Sequence, residues 1–165
     1  MTEAAQANAQ PNPQPVFNIE KLYVKDMSLE VPNAPQIFLD RDVPQIDVQL
    51  HSQAAPVEDG VFDVTVTATV TAKLPEKDKV VFLIEAKQAG IFQVRNIPAP
   101  EIETVLAVVC PNILYPYLRE VVSDMAVRAG FAPVMLNPIN FEAIYLQQKQ
   151  QNQAQAPAAG EVVKH

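Results

Sequence analysis

Strict alternation of apolar and polar side chains predicts a long β-strand between Phe62 and Leu74. Even positions in this run carry apolar residues, whereas most odd positions carry threonine. A period of two turns one set of side chains toward a core and the other toward solvent or a neighbouring strand. Residues 45–51 alternate in the same phase and predict a second strand, which ends near residues 56–60.

Two further strands are predicted on either side of these. Residues 80–92 carry apolar groups on both faces, so this strand should be covered on both sides, by its own domain or by a partner subunit. Residues 17–31 are also apolar at intervals, but the phase of the pattern slips twice. A strand interrupted by β-bulges has this kind of pattern.

Beyond residue 99 the apolar period changes to three and four residues, which predicts a long helix from Pro100 to Ala129 that stops at Gly130. Pro111 and Pro116 lie inside it. Each proline removes a backbone donor and crowds the preceding turn, so we expect a break or kink near residues 110–115.

A short second helix is predicted after Asn137 and Pro138, which resemble an N-cap followed by proline at the first helical position. Four strands followed by two helices predict the α+β class: a four-stranded antiparallel sheet with a long kinked helix and a short C-terminal helix on one face. The proline-rich loop 32–44 is long and carries two apolar residues, Ile37 and Phe38.

Composition divides the 165 residues into three parts. Residues 1–15 contain little besides Ala, Gln, Asn and Pro, which predicts a flexible N-terminal arm. Residues 16–146 form one folded domain. Residues 147–165 predict a flexible tail rich in alanine and glutamine, of which the first turn or two extend the second helix.

Charge and cysteine content exclude several classes of protein. A net charge of −7 with only 12 dispersed Lys and Arg argues against nucleic-acid binding. The single cysteine excludes an internal disulfide framework and a multi-cysteine zinc site, and suits a reducing compartment. We find no signal peptide and no apolar run long enough to span a membrane, so we expect a soluble, cytoplasmic protein without membrane insertion.

Candidate catalytic groups are few. His51 is expected to be a surface strand residue rather than a catalytic base, and Cys110 an inert buried thiol rather than a nucleophile. Four isolated glycines cannot form a phosphate-binding loop. We therefore expect no catalytic residues, no cofactor and no metal.

Most carboxylates are expected to form a solvated acidic surface. Asp26 and Glu30 share one face of the first strand, however, and Glu85 lies between apolar neighbours. Such an acidic patch can attract a basic partner.

Four sequence blocks together resemble one family. The blocks are PNAPQIF (32–38), QAGIF (88–92), CPNILYPYLRE (110–120) and NPINFEAIY (137–145). In this order they are similar to SecB, the bacterial protein-export chaperone family. The resemblance implies a homotetramer, assembled as a dimer of dimers with the long helix in the interface. It also implies binding of unfolded precursor proteins and their delivery to the translocation motor SecA, without ATP hydrolysis by the chaperone.

The resemblance assigns roles to residues of this sequence. SecA contact is expected at four strand positions, Asp26, Glu30, Leu83 and Glu85. An apolar client-binding groove is expected to include Ile37, Phe38, Ile46, Val48, Leu50, Phe141 and Tyr145. Oligomer assembly is expected to involve Ile84, Ala86 and Gln88, and the helix residues Leu106 and Val109, which belong to a stretch that is apolar all round.

Alternatives remain open at this stage. Ile46, Val48 and Leu50 are equally consistent with a role in holding the helix to the sheet. The chain could also be a small adaptor whose acidic face recognises one folded partner, with the apolar residues serving only as core. An enzyme is the third alternative.

Overall fold

The computed structural model describes residues 12–155, which form one sheet and its covering helices. Most of the predicted N-terminal arm and the last ten residues of the predicted tail lie outside the described residues. The strands are β1 (Val16–Glu30), β2 (Gln45–Glu58), β3 (Val61–Leu74) and β4 (Lys79–Arg95). They form one antiparallel sheet in the order β1-β4-β3-β2, which confirms the predicted sheet.

Irregularities in the two edge strands follow from their sequences. The register of β1 against β4 shifts twice, between Ile19 and Lys21 and between Val24 and Asp26, which confirms the predicted bulges. β2 ends at Glu58, within the predicted range of residues 56–60, and so continues past Pro56. Proline is tolerated there because β2 lies at the sheet edge and its register shifts directly after Pro56.

Three consecutive segments form the long helix: α1 (Ala99–Thr104), a π-helical turn (Val105–Val109) and α2 (Cys110–Arg128). A break was expected near residues 110–115. Instead, the helix widens into the π-helical turn just before these residues and continues through it. Pro111 has no N–H for the carbonyl four residues earlier, and its ring would crowd that carbonyl in a regular helix. A π turn immediately before the proline relieves both problems.

The C-terminal helix, α3 (Phe141–Gln155), begins later than expected. Asn140, and not Asn137, is its cap, because the Ala143 N–H donates to Asn140 Oδ1 at 3.0 Å. The helix also runs through residues 147–155, which the sequence analysis assigned to the tail beyond its first turn or two.

The long helix covers one face of the sheet, which we call the helix side. The even-numbered residues of β3 face this side. Those from Val64 to Leu74 are almost completely inaccessible to solvent, and Phe62 is half-buried. Gly90 leaves room for the Phe92 ring and for Leu114 of the helix, because a Cβ atom there would lie 2.7 Å from Phe92 Cε2 and 3.1 Å from Leu114 Cδ2. The opposite face, which we call the open face, carries three half-exposed threonines of β3 and the buried Thr65.

By length and composition, the helix Ala99–Arg128 is apolar enough to cross a membrane, contrary to the sequence expectation. Core helices pass the same test. Leu114, Leu118 and Val122 are fully buried against the sheet, so the place of this helix in the core accounts for its composition.

Replacing Leu118 with alanine is expected to lower the free energy of unfolding by about 2–5 kcal/mol, because it leaves a cavity between helix and sheet. Val127→Ala is the matched control, since Val127 lies on the same helix and is 53% exposed. Urea unfolding at one fixed protein concentration measures both. Equal effects of the two substitutions would contradict this account of the core.

The thiol of Cys110 is expected to react with iodoacetamide at pH 8 at least about a hundredfold more slowly in the native than in the urea-unfolded chain. Burial raises the pKa of Cys110 to about 12, so little thiolate forms in the folded state. Mass spectrometry of timed samples gives both rates. Comparable rates would show that this part of the helix opens readily.

Candidate functional site

A large apolar cavity lies between β2 and the segment that joins the long helix to α3. Its volume is about 690 Å³. Ile46 and Val48 line the β2 wall and are 40% and 38% exposed, and Leu50 completes this wall. Apolar side chains exposed in a concave surface are typical of a binding site for apolar ligands.

A second cavity of about 420 Å³ lies further along β2, against the π-helical turn and α3. Phe141 and Tyr145 line it, and Leu50 belongs to both cavities. The two cavities therefore adjoin along one strand, and we call them together the β2 groove. The Tyr145 hydroxyl is buried and has no hydrogen-bond partner among residues 12–155.

Five of the seven residues expected in the client groove thus line the β2 groove. The other two, Ile37 and Phe38, line neither cavity. Ile37 is buried in the main core. Phe38 is exposed and stacks on Phe131 with ring centroids 5.2 Å apart, and Phe131 in turn lines the first cavity. Phe38 therefore packs against a residue of the groove wall from outside the groove.

The wall of the groove opposite β2 was not predicted from the sequence. We call residues 131–140 the connecting segment; it contributes Phe131, Leu136, Asn137, Ile139 and four other residues to the first cavity. It has no regular secondary structure. A signal was present in the sequence, namely five bulky apolar residues without helical or strand period around Pro133 and Pro138.

The four residues expected to contact SecA lie together on the open face. Glu30 is paired with Leu83 across β1 and β4, and Ser28 is paired with Glu85 in the next row. Asp26 follows opposite Lys87, whose Nζ lies 3.7 Å from Glu85 Oε1. The arrangement is a shallow, mainly acidic patch around one leucine.

Another carboxylate of the open face is already neutralised. Asp63 accepts a hydrogen bond from the Tyr23 hydroxyl at 2.7 Å and forms an ion pair with Lys25 at 2.6 Å. Hydrogen bonding to Asp63 raises the pKa of both Tyr23 and Lys25. Asp63 is therefore a structural residue, and the acidic character of the open face is concentrated toward Glu30 and Glu85.

The residues expected at the oligomer interface fall into two groups. Ile84, Ala86 and Gln88 are buried on the helix side of β4, beneath the chain's own helix. Leu106 is half-buried and Val109 is exposed. Beside them, β1 exposes a row of apolar side chains that the helix does not cover: Phe17, Ile19, Val24, Met27 and Leu29.

Other candidate groups have simple explanations. Cys110 is fully buried, and His51 is exposed on β2. Within residues 12–155, no three His, Cys, Asp or Glu side chains are grouped so as to hold a metal ion.

Comparisons with known proteins all point to one family. The model of the family described as preprotein translocase subunit SecB matches residues 10–152. The protein-export protein SecB of Nitrosomonas eutropha is 63% identical over 145 residues, which are 88% of this chain and 90% of that protein. The protein-export protein SecB of Aromatoleum aromaticum is 62% identical over 162 residues, 98% of each chain.

A solved structure has the same fold. It is a SecB-like chaperone from Mycobacterium tuberculosis in complex with a ChAD peptide from the HigA1 antitoxin. The TM-score is 0.61, with 18% identity, over 75% of this chain and 91% of that chain. Together with the family match and the curated relatives, the sheet and helices described above assign this chain to the SecB family of protein-export chaperones.

Proposed function

We propose that this protein binds unfolded precursor proteins in the β2 groove, keeps them competent for export without using ATP, and delivers them to SecA. The observation that carries the proposal is the exposure of Ile46 and Val48 in the wall of a cavity of about 690 Å³. Side chains that only held the helix to the sheet would be covered by it.

The groove suits a client of no fixed sequence. Burial of apolar surface contributes about 25 cal/mol per Å² whichever residue supplies the area, so extended segments of many sequences can bind. A folded protein hides the same area and is ignored. Binding of this kind is an equilibrium, so capture needs no nucleotide.

The position of the acidic patch supports delivery to SecA. Leu83 and Glu85 lie on the open face, whereas Val48 and Leu50 point to the helix side, so the sheet separates the two surfaces. A client and SecA can therefore be bound at the same time. The carboxylates would attract a basic segment of SecA, and Leu83 would add apolar contact.

The uncovered row on β1 supports assembly with further copies of this chain. Met27 is 59% exposed, and it stands in a row with four other apolar residues along an edge strand. A homotetramer, assembled as a dimer of dimers, would cover this row together with Val109 of the long helix. We place the protein in the cytoplasm, because precursors must be captured before they cross the membrane.

Val48→Asp is expected to weaken binding of an unfolded polypeptide at least about tenfold, because a bound apolar segment would have to desolvate the new carboxylate. The dissociation constant is measured without nucleotide by fluorescence anisotropy of a labelled, permanently unfolded protein. Gln49→Asp is the matched control, since its side chain lies on the open face of the same strand. Equal effects of the two variants would contradict the β2 groove as the client site.

The adaptor alternative is tested with the unmodified protein. A chaperone should suppress aggregation of an unrelated, chemically unfolded enzyme at near-equimolar concentration without nucleotide. An adaptor for one folded partner should give no protection. Light scattering during dilution from denaturant distinguishes the two.

Glu85→Lys is expected to weaken SecA binding about tenfold at low salt and to leave client binding nearly unchanged, because it reverses a charge on the open face only. Calorimetric titration with SecA and the anisotropy assay above measure the two affinities. Glu142→Lys, which changes an exposed carboxylate on α3, is the control. A parallel loss of SecA and client binding would argue against separate surfaces.

A further inference from the structure

One wall of the β2 groove has little backbone support. The connecting segment begins with a hydrogen bond from the Phe131 N–H to the Ala126 carbonyl at 3.1 Å. It ends where the Ile144 N–H reaches the Asn140 carbonyl at 3.2 Å. Between these two points, the described residues show no backbone hydrogen bond from the segment to another part of the chain. The β2 wall, in contrast, is paired with β3 without interruption from Gln45 to Pro56.

Two side-chain hydrogen bonds tie the middle of this wall to the long helix, and one of them is weak. In the weak one, the Ser123 hydroxyl donates to the Met135 sulfur, a poor acceptor, at 4.0 Å. The hydroxyl of Tyr115 on α2 donates to the backbone carbonyl of Asn137, and both residues line the first cavity. Tyr115 is only 6% exposed, and burial raises the pKa of its hydroxyl, which therefore stays protonated and able to donate. Its ring packs edge-on against Phe141 at 5.6 Å, which limits the directions in which the hydroxyl can point.

The remaining anchors of the segment, besides these two hydrogen bonds, are apolar. Leu136 is buried and Phe131 packs against Phe82 with ring centroids 5.0 Å apart. Apolar contacts hold the wall near the core but do not fix its position, since they have no preferred direction. The hydrogen bond from Tyr115 fixes the position of the wall, because the strength of a hydrogen bond falls steeply when its geometry changes.

We propose that Tyr115 is a positioning residue for client binding: its hydroxyl fixes the connecting segment at the distance from β2 that forms the groove, and its release lets the wall move outward. This inference rests on the proposed function of the groove. A preformed wall favours binding because less of it must be ordered when a client arrives. An adjustable wall accommodates side chains of different bulk.

Tyr115→Phe tests the proposal, since it removes the hydroxyl and keeps the ring against Phe141. The first measurement is limited chymotrypsin digestion of the protein without client, with fragments identified by mass spectrometry. We expect cleavage within residues 131–140 to become about five- to tenfold faster, the factor that corresponds to one net hydrogen bond. The second measurement is the dissociation rate of the labelled unfolded protein, which should rise by a similar factor.

Tyr117→Phe is the matched control, because Tyr117 lies on the same helix and is 49% exposed. It should leave both rates unchanged. Faster cleavage at sites throughout the sheet, or unchanged cleavage in residues 131–140, would overturn the proposal. A different result would contradict the proposed function alone. In that case the unmodified protein binds no unfolded client, while Tyr115→Phe still accelerates cleavage of the segment.

Discussion

This structure depends on one constraint: a single helix is narrower than a sheet of four strands and cannot cover all of them. Neighbouring strands are about 4.8 Å apart, so the axes of β1 and β2 are about 14 Å apart, and their side chains extend further. A helix with its side chains is only about 10–12 Å across. It covers the middle strands β3 and β4, and the apolar side chains of both edge strands remain partly exposed.

The two edges then acquire different neighbours. Beside β2, the connecting segment and α3 enclose the exposed side chains in the groove. Beside β1, no described element of the chain covers the apolar row, which the proposed assembly would cover with a second subunit. The open face has no described helix and carries charge instead, with one carboxylate paired with Lys25 and hydrogen-bonded to Tyr23. Under the proposed function, client capture, assembly and SecA contact would use three different surfaces.

Patterns with a fixed period could be predicted from the sequence, and contacts between distant segments could not. Alternation in β3 and phase slips in β1 gave the strands and their bulges, because strand geometry imposes them locally. Asn140 rather than Asn137 caps α3, and the Asn137 carbonyl instead accepts a hydrogen bond from Tyr115, 22 residues away along the chain. The burial of Ile37 and the wall formed by residues 131–140 depend in the same way on tertiary packing.

The π-helical turn at Val105–Val109 joins two helical segments that face different surroundings. The turn itself lies near β2 and α3, whereas the segment that follows lies over β3 and β4. A π turn accommodates more residues than an α turn, and so sets the rotation of one segment about the axis relative to the other. Loss or gain of a single amino acid between Thr104 and Pro111 would turn one apolar stripe away from its partner by about 100°. The spacing of this stretch is therefore expected to tolerate exchange of side chains far better than any change in length.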